Sequence, residues 1–167
     1  MTANINEKFY ENDEYVFFLS GEFSQWFIAP FIVNDITFNC CEQYMMYNKA
    51  ITFGDSIRAE LILNDPLPKN QKQYGREVIG FNEDIWNQVA DEIVFKGNLA
   101  KFSQNENLKA ILIATDKKKI VEAAPYDKIW GNGLNISDSL QIPEKEWKGK
   151  NKLGKAIMRV REILINN

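Results

Sequence analysis

The chain has 167 residues, 45% of them hydrophobic and 13% aromatic, which suits one folded domain burying roughly 70% of its unfolded-chain surface. A formal net charge of −3 gives no global attraction to nucleic acid or to an anionic membrane. No apolar run approaches the length of a membrane span, and the polar, acidic lead from Met1 to Asp13 fits neither a signal nor a transit peptide, so a soluble cytoplasmic protein is expected.

In chain order, residues 1–14 read as a loosely ordered lead-in, with a single domain expected over 15–167. Tyr15 to Leu19 is apolar and aromatic enough for a strand. Phe31-Ile32-Val33 and Ile36-Thr37-Phe38, joined by Asn34-Asp35, read as a hairpin with a short polar turn. A helix is expected from about Cys40 to Phe53, with Asn39 as its N-cap and Glu42 three residues on. A second helix covers Ser56 to Leu63, and a short third one within 66–80 holds Tyr74-Gly75-Arg76. Asn82 caps the longest helix, 84–101, with Ile85, Val89 and Ile93 on its apolar face. Asn105 to Ala114 is another helix and Lys119 to Glu122 a strand. Residues 134–150 read as irregular. A last helix runs from Lys152 to about Leu164, with Leu153, Ile157, Val160 and Leu164 turned inward. The class is α+β: a helix-dominated single domain with a small β-sheet.

The residue types restrict the chemistry. The chain has no histidine, which removes the commonest general base, the serine–histidine triad and the usual zinc ligands. Its two cysteines, Cys40 and Cys41, are adjacent and suit a reducing compartment. Proton transfer would fall to carboxylates, lysines or tyrosines. No metal and no cofactor are expected.

Within Val121 to Gly133 lie Glu122, Tyr126, Asp127, Lys128, Trp130, Gly131 and Gly133. Such a mix suits a loop that grips a flat polar ligand, and equally an ordinary strand-to-turn segment. Glu42, Met46, Lys49 and Phe53 share one helix face, at offsets of about four, seven and eleven residues from the first. Glu42 could work in a cleft or merely close a capping box with Asn39; Lys49 could do chemistry or snorkel to solvent. Trp86 could wall a ring or simply pack with Ile85 and Val89. Arg76 could hold a phosphate in a two-pronged grip or form a surface salt bridge. Lys148, Lys150, Lys152 and Lys155 crowd the start of the last helix, where free backbone N–H groups and lysines make an anion site, or a solvated basic patch.

The segment Glu122 to Gly133 resembles the "VEASPxDxIWGxG" signature of the NADAR family, the YbiA-like proteins. Phe23-Ser24-Gln25-Trp26 through Cys41-Glu42-Gln43-Tyr44-Met45-Met46 to Lys49-Ala50, then Gly97-Asn98-Leu99-Ala100-Lys101-Phe102, then Asn151-Lys152-Leu153-Gly154-Lys155 match the same family in order. The resemblance spans about Tyr15 to Leu164. Ala124 stands for a common serine and Gly21-Glu22 for another turn; neither change removes a candidate catalytic group.

The resemblance implies an N-glycosidase acting where ribose is joined to an exocyclic amine. Two substrates are implied: ADP-ribose on guanine in nucleic acid, and phosphoribosylamino-pyrimidine intermediates of riboflavin synthesis. It makes Glu42, Lys49 and Asp127 the catalytic candidates, with Glu42 as general acid–base and Asp127 steadying the ribose. Lys49 would stabilise charge or attack C1 as an amine. Trp86, Trp130, Arg76, Glu122, Tyr126, Gly131, Gly133, Asn151 and Lys155 become candidate substrate contacts. Binding to unmodified nucleic acid should be weak, with recognition centred on the ribosyl group. The same walls and phosphate site would also serve a non-catalytic binder of ADP-ribose or related nucleotides.

Overall fold

A computed structural model describes residues 6–167. The first strands are β1 (Phe9–Glu11), β2 (Tyr15–Phe18), β3 (Phe31–Val33) and β4 (Ile36–Phe38), followed by helices α1 (Cys41–Thr52), α2 (Ser56–Asn64), α3 (Pro68–Arg76), α4 (Glu83–Gln104) and α5 (Glu106–Ala114). After them come β5 (Lys119–Glu122), α6 (Ile136–Gln141), a single 3-10 turn (Glu144–Glu146) and α7 (Lys152–Asn166). The class is α+β and helix-dominated, with two small sheets among the described residues. Among those residues, no helix is long and apolar enough to cross a membrane.

Within the span read from sequence as one domain, the chain packs as two compact units. The first combines the chain up to Ser24 with Asn107–Asn167. Its sheet has the order β1-β2-β5, with β1 antiparallel and β5 parallel to β2. Val16, Phe17 and Phe18 of the central strand are fully buried. Phe17 joins Val121, Ala123 and Ile136 in the core, with Trp147 packed against them. Helix α7 closes this unit: Leu153, Ile157, Val160 and Leu164 are all buried, as their spacing predicts.

The second unit is Gln25–Glu106. Its hairpin β3-β4 pairs Phe31 with Phe38 and Val33 with Ile36. Asn34 and Asp35 have φ of 51° and 63°, so both residues of the turn are left-handed, as tight hairpins require. Phe31, Phe38, Cys41, Tyr44 and Ala100 form its core.

Four sequence expectations change. The lead-in over 1–14 includes, in its described part, strand β1, which is held by pairing with β2; residues 1–5 lie outside the described residues. Helix α1 has Cys40, not Asn39, as its N-cap. The buried face of α4 holds Trp86, Ala90 and Val94, while Ile85 is 47% exposed, so the inward face lies one residue further along. The irregular stretch 134–150 contains α6, because Asn135 Oδ1 accepts the Asp138 N–H at 2.7 Å and starts a short helix.

Candidate active site

Glu42 sits in the first turn of α1 and is 6% exposed. It does not close a capping box. The Asn39 N–H donates instead to Gln43 Oε1 at 2.7 Å. The Asn39 side chain turns away, donating to the Pro66 carbonyl and accepting from Gln71. Gln43 and Gln71 are themselves buried and spend their amides on the α2–α3 connection. Helix closure is thus delegated to Gln43, and the Glu42 carboxylate stands at a helix N-terminus, where the macrodipole favours negative charge. The Glu42 N–H donates to the Gln25 carbonyl at 2.9 Å.

Two turns along the same face stands Lys49. Between them Met46 meets α3, where a Cβ on Gly75 would lie 2.0 Å from Met46 Sδ. Glycine lets Met46 keep that place, and α3 carries Arg76 at its end close enough to Lys49 to act on its charge. Lys49 Nζ lies 4.4 Å from the centroid of the Phe81 ring and 5.8 Å from that of Trp86. Burial lowers the pKa of the Lys49 amine from its ordinary value; Glu42 opposes that shift and Arg76 adds to it. Among the described residues Lys49 takes part in no ion pair, and neither does Arg76, which is exposed; the salt bridge in its neighbourhood joins Arg58 to Glu77. The second unit therefore brings together Glu42, Lys49, Arg76 and Trp86: an acid, a desolvated amine, a guanidinium and an indole. Trp86 is buried, and its indole backs Lys49.

In the first unit, the segment from Glu122 to Gly133 is a tightly bonded loop. Asp127 Oδ1 accepts the N–H groups of Ile129 and Trp130 at 2.9 and 2.8 Å, so this oxygen shapes the turn. The Glu122 carbonyl accepts from Ala124 and Asn132. Gly131 is buried, and a Cβ there would lie 2.9 Å from the Asp127 carbonyl oxygen and 3.0 Å from that of Glu122. Gly133 has φ of +75°. Both glycines thus serve the loop's own backbone. Tyr126 is fully exposed. Trp130 is half-buried, with Lys152 Nζ 5.9 Å from its ring centroid.

The start of α7, read from sequence as an anion site or a solvated basic patch, packs its backbone donors against the loop. The N–H groups of Lys150, Asn151, Lys152 and Leu153 donate to the carbonyls of Lys128, Gly131, Ile129 and Trp130. These four donors are thus spent on the loop's carbonyls. Asn151 is likewise committed: Oδ1 accepts the Glu122 N–H at 3.0 Å and Nδ2 donates to the Ile120 carbonyl at 2.9 Å. Lys155 remains exposed on the helix surface.

The sequence matches the NADAR domain over residues 8–165. The chain belongs to the NADAR family. A mimivirus protein named N-glycosidase R617 (Acanthamoeba polyphaga mimivirus) is 43% identical over 91% of this chain and 97% of its own length. N-glycosidase YbiA of Escherichia coli K12 is 31% identical over 86% of this chain and 81% of its own. The NMR structure of E. coli YbiA superposes with a TM-score of 0.76 at 29% identity, covering 96% of this chain and 89% of that one.

With NADAR membership established, three further residues in its motifs and loops stand out. Lys101, in the Gly97-Asn98-Leu99-Ala100-Lys101-Phe102 motif, is fully buried, with Nζ 5.0 Å from the Phe102 ring centroid. Asn98 is fully buried too and donates to Gln25 Oε1 at 2.9 Å, which ties this motif to the segment that holds the Glu42 N–H. Phe81 carries no motif at all. For Lys101 and Asn98 the motif itself is the one signal in the sequence; Phe81 carries none, because its role depends on which way the α3–α4 loop turns.

Proposed function

We propose that this chain, an N-glycosidase of the NADAR family, hydrolyses the bond between ribose C1′ and an exocyclic amine. Glu42 is the general acid–base. The observation that carries this reading is the state of the acid and the amine on α1: Glu42 is buried and relieved of capping, and Lys49 is desolvated without an ion pair. Binding alone requires neither feature.

In the first step Glu42 gives its proton to the linking nitrogen, and the C1′–N electron pair leaves with the amine. The cationic sugar is then attacked at C1′ by water, whose proton returns to Glu42. If the sugar ring opens first, neutral Lys49 attacks C1′, the base amine departs, and water hydrolyses the lysine imine to free sugar. A lowered Lys49 pKa supports this second route by raising the fraction of free amine. Arg76, exposed and unpaired among the described residues, is the group best placed to meet a phosphate. On this reading the substrate is a phosphate-bearing ribosylamine: either ADP-ribose on guanine in nucleic acid or a phosphoribosylamino-pyrimidine of riboflavin synthesis. The net charge of −3 supports recognition of the ribosyl group rather than of plain nucleic acid.

The test incubates the protein with an ADP-ribosylguanosine oligonucleotide and, separately, with a phosphoribosylamino-pyrimidine. Free sugar is followed by mass spectrometry over many equivalents of substrate. Repeated turnover of either is expected and names the substrate. Stoichiometric binding of both without release would replace the enzyme by a nucleotide-binding module.

A further inference from the structure

We propose that Phe81 is a positioning residue for Lys49, its ring holding the ammonium against Trp86 in the place where a carboxylate would otherwise sit. This rests on the role given above to Lys49. Phe81 lies on the loop between α3 and α4, and that loop is firmly built. Val78 is 6% exposed and anchors it. The Ile79 N–H donates at 2.9 Å to Asp55 Oδ2, while Asp55 Oδ1 caps α2 through the Arg58 N–H at 3.0 Å. Gly80, with φ of +77°, reverses the chain, and Asn82 caps α4 just beyond. Phe81 is thus presented between two fixed points, and Phe53 meets its ring edge-on, with centroids 5.4 Å apart.

Its position is odd for a packing residue. Phe81 is 45% exposed, although the loop that carries it is anchored in the core. Besides Phe53, its ring meets Lys49, whose Nζ lies 4.4 Å from the ring centroid. The charged groups acting on Lys49 are Glu42 on its own helix and Arg76 on α3. An ion pair with Glu42 would keep a proton on the amine and occupy the acid. Two ring faces attract an ammonium without offering a base to hold its proton, so they leave the amine able to lose it.

The test reads Lys49 directly. Trace acetic-anhydride labelling of the full-length protein across pH, quantified on the Lys49 peptide, gives its titration with no substrate present. Phe81→Tyr keeps the ring and should leave the titration unchanged. Phe81→Ala admits water and should raise it by about one pH unit, a tenfold fall in free amine at a given pH. Phe81→Leu excludes water but has no ring face, and should lower the titration. Circular dichroism checks that the variants are folded, and the leucine variant stands in if alanine is not tolerated. During turnover, borohydride trapping on Lys49 should fall about tenfold in Phe81→Ala with little change in KM. An unmoved Lys49 titration in both Ala and Leu variants overturns the inference, whatever the turnover assay gives. A moved titration in a protein that cleaves neither ribosylamine leaves the Phe81–Lys49 contact standing and removes the proposed reaction instead.

Discussion

Asn151 separates a structural from a substrate-binding reading most sharply. Its side chain is 7% exposed and ties the start of α7 to β5 through Glu122 N–H and the Ile120 carbonyl. Asn151→Ala leaves one backbone donor and one acceptor buried without partners. Each costs about 1–3 kcal/mol, so the loss should be about 2–6 kcal/mol. The residue also has φ of 48°, a left-handed conformation that asparagine tolerates and alanine resists, adding about 1 kcal/mol. Against a typical domain stability of about 5–15 kcal/mol this is a large fraction. Asn151→Asp keeps the acceptor for Glu122 but turns a second oxygen towards the Ile120 carbonyl, so it should lose about half as much. Urea unfolding followed by tryptophan fluorescence gives the order: parent, then Asp, then Ala. An alanine variant with the parent's midpoint and a raised KM would refute the argument and return Asn151 to the substrate.

Other expectations follow from the same geometry. Asp127→Asn keeps the acceptor that holds Ile129 and Trp130, so it should retain most activity, whereas Asp127→Ala should lose the turn; equal loss in both would assign the charge itself to the chemistry. Gly75→Ala drives a methyl group into Met46 and should destabilise by about 1–3 kcal/mol, with activity falling as α3 shifts away from Lys49. The folded-state pKa of Lys49 is lowered, so the unfolded chain binds its proton more readily. Stability should therefore rise as pH climbs through the folded value towards the unfolded one. Lys49→Met should be flatter over that range in pH-dependent melting.

Much of the fold could be read from the sequence because its signals are local. The hairpin follows from two aromatic-rich runs around Asn34-Asp35, and α7 follows from Leu153, Ile157, Val160 and Leu164 at helical spacing. The α4 face slipped by one residue because Ile85 and Trp86 are both apolar, and only packing chooses between them. Strand β1 is short and depends on a partner. Glu42 and Lys49 fall on one helix face by spacing alone. What spacing does not reveal is who caps α1: Asn39 and Glu42 have the pattern of a box, yet Gln43 takes the bond. The start of α7, which sequence leaves open between an anion site and a basic patch, likewise turns on something non-local. Its N–H groups are met by carbonyls some twenty residues upstream, which no local pattern records.

The most direct measurement is a single-turnover comparison of the parent with Glu42→Gln on an ADP-ribosylguanosine oligonucleotide and on a phosphoribosylamino-pyrimidine, following release of the sugar. The account predicts release by the parent and a loss of about 100-fold or more in Glu42→Gln, with substrate binding retained. Release by Glu42→Gln at the parent's rate would contradict it.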